Sequence, residues 1–148
     1  MKEALKYILT CVIVFAISFS LSRTWQPTII QGSSMKPAFH SGEFVVTDTT
    51  FKPGNAKYGD ILVFHKGDRA LIKRVIGLPG DHLECVSGML FRNGKLINEK
   101  YVKKTQKKNF SCDVPAGELF MAGDNRNNSY DSRYFGPVGY YRVIGKVM

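Results

Sequence analysis

The chain is poor in the features that mark several protein classes. Three cysteines in 148 residues are too few for a disulfide-dense miniprotein. Six prolines and 14 glycines without periodic spacing exclude a collagen-like or low-complexity chain. A hydrophobic fraction of 44% excludes disorder, and a domain of this length buries a real core. Beyond residue 23 there is no long hydrophobic run, no long amphipathic helical pattern and no internal repeat. His40, His65 and His82 stand far apart, and none pairs with a cysteine at ligand spacing. No metal and no cofactor is therefore expected. Negative charge is also scarce, with 12 acidic residues against 21 Lys and Arg, a net charge of +9.

What is present begins with an uncharged stretch, 7–22, preceded by Lys2, Glu3 and Lys6 and closed by Arg23. As a helix its 16 residues cover about 24 Å, slightly less than a hydrocarbon core. Adding Ala4 and Leu5, with Lys6 and Arg23 snorkelling, gives a workable membrane span. Two other readings stay open. The small residues Ala16 and Ser18 suit a cleavable signal peptide, and a buried soluble helix is the third reading. Apolar residues all round the run favour the span over the buried helix. The flanking charges do not fix its orientation.

Residues 24–148 hold 18 basic and 11 acidic residues, a net +7. Seven of the bases crowd between Arg92 and Lys108, opposed only by Glu99. No nucleic-acid module accompanies them, so a solvated ribbon or contact with anionic lipid is favoured over nucleic acid. Short apolar or alternating runs recur at 27–31, 43–47, 61–65, 71–76, 83–86, 89–92, 118–122 and 143–148, separated by Gly, Pro and Asn turn signals. Asn93-Gly94 is a strong hairpin turn. The expected fold is mainly β, with antiparallel curled or barrel-like sheets behind one N-terminal transmembrane helix. Two units are expected, a 1–23 anchor and a 24–148 β body with a small β-cap at 84–116. Cys85 and Cys112 lie outside the apolar run, and the sequence leaves a disulfide between them open.

Three segments carry more chemistry than ordinary turns. Gly32-Ser33-Ser34-Met35-Lys36-Pro37 is a bend of small residues just after a strand, able to present a hydroxyl. In 71–76, Leu71, Lys73 and Val75 share one strand face while Ile72, Arg74 and Ile76 share the other. Whichever face turns inward carries a desolvated cation, and a buried lysine loses its proton far more readily than arginine. The third segment, 123–133, is dense in short hydrogen-bonding side chains that organise their own backbone.

Together, Ser34-Met35-x-Pro37, Lys73-Arg74-x-x-Gly77-x-Pro79-Gly80-Asp81 and Gly123-Asp124-Asn125-x-x-Asn128-Ser129-x-Asp131-Ser132-Arg133-x-x-Gly136 resemble the type I signal peptidases in content and order. Asp60 before the 61–64 run is similar to a further family element, and the resemblance covers nearly the whole chain. It implies a Ser–Lys dyad, with Ser34 as nucleophile and Lys73 as general base. It implies that Ser129 orients the lysine and that Asp131 and Arg133 support the site. The Ser34 backbone N–H would be one oxyanion donor. Relatives with a serine two residues earlier gain a second donor from its hydroxyl, but Gly32 stands there and only the adjacent Ser33 could replace it. Ile30, Met35, Leu71 and Ile72 would contact substrate. Lysine rather than histidine at 73 resembles the bacterial form. The implied partners are secretory preproteins, cut after small-x-small sites, and membrane lipid. The implied location is the bacterial cell membrane, single-pass, with a cytoplasmic N-terminus and an extracytoplasmic catalytic domain. Two departures are a chain that stops with the 143–148 strand and a short region between the second and third motifs. A self-cleaving Ser–Lys protein related to SOS-response repressors and a non-catalytic membrane-tethered module are the alternatives.

Overall fold

The computed structural model describes residues 2–102 and 108–148; the side chains of residues 2 and 21–23 lie outside the described set. So do Lys103, Lys104 and Lys107 of the basic stretch.

Residues Lys2–Thr24 form one helix, α1, longer at both ends than the uncharged run. Its 23 residues measure about 34 Å, and the stretch Glu3–Ser20 is long and apolar enough to cross a membrane. Every side chain from residue 3 to residue 20 is exposed. That exposure removes the buried-helix reading, because none of the described residues covers this surface.

The rest is strand. In order these are β1 (Trp25–Ile29), β2 (Phe44–Asp48), β3 (Ile61–Lys66), β4 (Arg69–Gly77), β5 (His82–Val86), β6 (Met89–Arg92), β7 (Lys95–Leu96), β8 (Phe110–Asp113), β9 (Glu118–Ala122), β10 (Val138–Gly139) and β11 (Val143–Val147). A four-residue helix, α2 (Ser132–Phe135), interrupts the region read as loop. Seven strands form one antiparallel sheet in the order β1-β2-β11-β3-β4-β9-β10, and β7-β6-β5-β8 form a second. The end strands β1 and β10 are not paired with each other, so the sheet is open rather than a closed barrel. The expectation of antiparallel β behind an N-terminal helix holds.

Two turns show why the second sheet forms. Asn93 and Gly94 both have positive φ (53° and 74°) and join β6 to β7, the geometry an Asn-Gly hairpin requires. Ser87-Gly88 does the same between β5 and β6, a turn the sequence signals did not single out. Cys85 and Cys112 lie on the neighbouring strands β5 and β8, diagonally placed, and both are free thiols.

The interior is divided among three apolar clusters. Leu62, Phe64, Val75, Leu119, Met121 and Val138 pack together in the first. Ile76, Leu83, Leu90, Val114, Phe120 and Ala122 join the two sheets in the second. Ile30, Val45, Val63 and Val147 form the third, beneath the bend that carries Ser34. β4 contributes to more than one of them, so both of its faces are covered and both of its cations are drawn inward.

Candidate active site

β4 answers the question of which cation is buried. Lys73 is 3% exposed, while the Arg74 side chain, 14% exposed, is neutralised by a bidentate pair with Asp124 at 2.8 and 2.6 Å. Arg74 also donates to the Gly59 carbonyl at 2.9 Å and stacks over the Tyr101 ring. Arginine thus keeps its charge and receives a counter-ion. Lysine receives no such partner. Its Nζ lies 2.8 Å from Ser34 Oγ and 2.8 Å from the Ile72 carbonyl. Burial lowers the Lys73 pKa to about 8, with Arg133 pushing the same way and Asp131 and Asp124 opposing.

The bend bearing Ser34 is braced from the third motif. Asn125 N–H donates to the Ser34 carbonyl at 2.9 Å, and its Nδ2 donates to the Ser33 carbonyl at 3.1 Å. Asn128 Nδ2 donates to Ser33 Oγ at 2.8 Å. Gly32 N–H is committed to Ser41 Oγ at 3.2 Å, whereas the Ser34 N–H has no acceptor among the described residues. Gly123 must lack a side chain, because a Cβ there would overlap the Ser34 carbonyl oxygen and the Ser129 hydroxyl.

Asp131 and Arg133 form a buried bidentate pair, both contacts 2.7 Å, with side chains 0% and 1% exposed. Asp131 also accepts from Gly123 N–H at 2.9 Å and caps α2 through Arg133 N–H. Burial alone would raise the Asp131 pKa. The hydrogen bonds and charge of Arg133, with Ser129 and the Gly123 amide, outweigh it and hold the carboxyl low. The Ser129 hydroxyl is buried and makes no hydrogen bond among the described residues, to Lys73 or otherwise.

A groove of about 600 Å³ runs past Ser34 and Lys73, lined by residues 28–31 on one side and 69–73 on the other. Ile30, Leu71 and Ile72 line it, whereas Met35 is 1% exposed and sits in the core. The third motif contained the braces Asn125 and Asn128 and the counter-ion Asp124 without pointing to these roles, and Ser41 was not singled out at all. The Asn-rich motif was the signal for the first two; nothing local marked Ser41.

The sequence matches the family described as "Signal peptidase, peptidase S26" over residues 1–148. Signal peptidase I U of Bacillus subtilis strain 168 is 35% identical over 140 residues, 85% of this chain and 75% of that protein. Signal peptidase IB of Staphylococcus aureus strain COL is 34% identical over an alignment of 169 residues, covering 99% of this chain and 88% of the relative. The crystal structure of a signal peptidase I from Enterococcus faecalis V583 superposes with a TM-score of 0.59 at 31% identity, over 64% of this chain and 97% of the other. The sequence likeness thus runs through the whole chain, and the structural likeness through about two thirds of it: the chain belongs to the signal peptidase family, peptidase S26.

Proposed function

We propose that this protein is a membrane-bound serine endopeptidase that removes N-terminal signal peptides from secretory preproteins, with Ser34 as nucleophile and Lys73 as general base. The observation that carries this reading is the 2.8 Å contact between Ser34 Oγ and a lysine that burial brings to a pKa of about 8. Uncharged Lys73 takes the Ser34 proton as Oγ attacks the scissile carbonyl. The Ser34 N–H donates to the developing oxyanion. Protonated Lys73 returns the proton to the leaving amine, the C–N bond breaks, and an ester to Ser34 remains. Water then gives a proton to Lys73 and attacks the ester. The signal peptide leaves as a carboxylate, and Ser34 regains its proton.

The groove supports an extended substrate. Arg69–Gly77 pairs with β3 along residues 69–74, but with β9 only from Arg74 onward. The second edge of β4 at 69–73 therefore has no strand partner among the described residues and is open to an added peptide strand. Ile30, Leu71 and Ile72 give this edge shallow apolar walls, consistent with small residues flanking the scissile bond. Asp131, Arg133 and Ser129 support the site without touching substrate. The Gly32 amide is engaged by Ser41 Oγ and is not free to serve as a second donor.

We infer an anchor at 1–23, a 24–148 body with a cap at 84–116, a cytoplasmic N-terminus and an extracytoplasmic β body in a bacterial membrane. Lipid contact gains support from β1 and β2, whose outer face is apolar. Trp25, Ile29, Phe44 and Val46 are 48%, 52%, 74% and 44% exposed, and β1 follows α1 without a linker. Preproteins and lipid, not nucleic acid, are its partners. The test is processing of an Ala-x-Ala preprotein by wild type, Ser34→Ala and Lys73→Met, each checked for folding. Both variants are expected to lose processing; equal activity in all three would sink the dyad.

A further inference from the structure

Glu99 stands in the basic stretch between β7 and β8, where a lone acid reads as solvated. Its side chain is instead 8% exposed. The carboxylate accepts from both terminal nitrogens of Arg126 at 2.5 and 2.6 Å, from the Tyr101 hydroxyl at 2.6 Å and from the Tyr58 hydroxyl at 3.3 Å. A carboxylate withdrawn from water is costly unless its charge is paired and its lone pairs are filled. Both conditions are met here, by donors converging from three separate stretches of chain.

Arg126 passes the contact inward. Its Nε donates to the Gly123 carbonyl at 3.0 Å, and its own carbonyl accepts from Arg133 at 2.8 Å. Arg133 clamps Asp131, and Asp131 accepts from the Gly123 amide. These bonds close a ring around the 123–133 loop. Gly123 abuts the Ser34 carbonyl, and Asn125, two residues on, hydrogen-bonds it.

We propose that Glu99 is a positioning residue: by fixing Arg126 it holds the 123–133 loop against the Ser34 bend and so couples the cap segment to the catalytic geometry. This rests on the Ser34–Lys73 reading. The charged groups acting on Lys73 are Asp131, Arg133 and Asp124. Those around Arg126 are Glu99, Tyr101 and Asp131, with Arg74 stacked on Tyr101 and Arg92 over Tyr58. Removing the Glu99 charge leaves Arg126 without its counter-ion and loosens its hold on the loop that carries Asp131 and Arg133, two of the charges that act on Lys73.

The experiment measures kcat, KM and the pH profile of preprotein cleavage per folded molecule, on full-length wild type, Glu99→Gln, Glu99→Asp and Ser34→Ala. For Glu99→Gln, kcat is expected to fall about 10- to 100-fold with KM within about twofold, the size of effect small misplacements produce. The acidic limb of its profile is expected to move, because the loop carries charges that act on Lys73. Glu99→Asp, which keeps the charge, is expected to leave that limb where wild type has it and to recover part of kcat. Wild-type kcat and pH profile in Glu99→Gln would overturn the proposal, as would a lowered Tm with both unchanged, since that is the mark of a merely structural residue. Should Glu99→Gln not fold, Glu99→Asp decides: reduced kcat at unchanged KM supports the proposal, and wild-type kcat overturns it. An active Ser34→Ala would defeat the dyad itself, whatever the Glu99 variants do.

Discussion

At the scale of single residues, the site depends on a lysine kept where its charge is disfavoured. Lys73 titrates near 8 instead of 10.5 because burial outweighs Asp131 and Asp124. Below pH 8 both folded and unfolded chains hold the proton, and the folded state bears the full penalty. Between about 8 and 10.5 the unfolded chain binds more proton, so stability rises with pH through that window. The displacement corresponds to roughly 3 kcal/mol. Lys73→Met is therefore expected to unfold with a free energy up to about 3 kcal/mol above wild type at pH 7, with the gap closing between pH 8 and 10.5. Denaturant titrations at several pH values check this, and a pH-independent gap would contradict it. Asp131 presents the opposite case, a buried anion whose removal strands a cation. Asp131→Asn leaves Arg133, 1% exposed at its side chain, without its counter-ion. A loss of about 3–5 kcal/mol in unfolding free energy is expected from equilibrium unfolding.

At the scale of elements, β4 is the axis of the site, and the packing at its end fixes how the two sheets meet. A Cβ on Gly77 would lie 2.6 Å from Leu83 Cδ1 and 3.1 Å from both Phe120 Cβ and Val114 Cγ2. Gly77→Ala is expected to lower stability by about 1–3 kcal/mol, read as a lower Tm, while kcat per folded molecule stays near wild type. A wild-type Tm would show that the junction has slack. Strands with apolar alternation, such as β3, β4 and β9, were legible because burial of one or both faces writes itself into the residues. Lys95–Leu96 and Val138–Gly139 were not, since two residues carry no period. Phe110–Asp113 has a single large apolar residue and takes its place only by pairing with β5. The insertion of β11 between β2 and β3 pairs residues 79 to 100 positions apart, and nothing local encodes it. In the site, Ser34 and Lys73 were legible from motif and strand parity. Glu99 was not, because its burial depends on Arg126 and Tyr58 converging from elsewhere in the chain beside the neighbouring Tyr101.

At the scale of the whole molecule, an exposed apolar helix runs directly into a hairpin whose outer face is also apolar, and the bend with Ser34 follows five residues after β1. With the proposed anchor in a membrane, that arrangement would set the groove close to the bilayer. Trp25, the only tryptophan, sits at the junction of helix and hairpin and reports on it. In vesicles its emission is expected to be quenched by brominated lipid and shielded from aqueous acrylamide; the reverse pattern would place the hairpin in water. The central claim, that uncharged Lys73 activates Ser34, is tested most directly by the pH dependence of kcat/KM for preprotein cleavage under single-turnover conditions. A tenfold rise per pH unit that levels off near pH 8 is the expected result. A rate that stays flat from neutral to alkaline pH would contradict it.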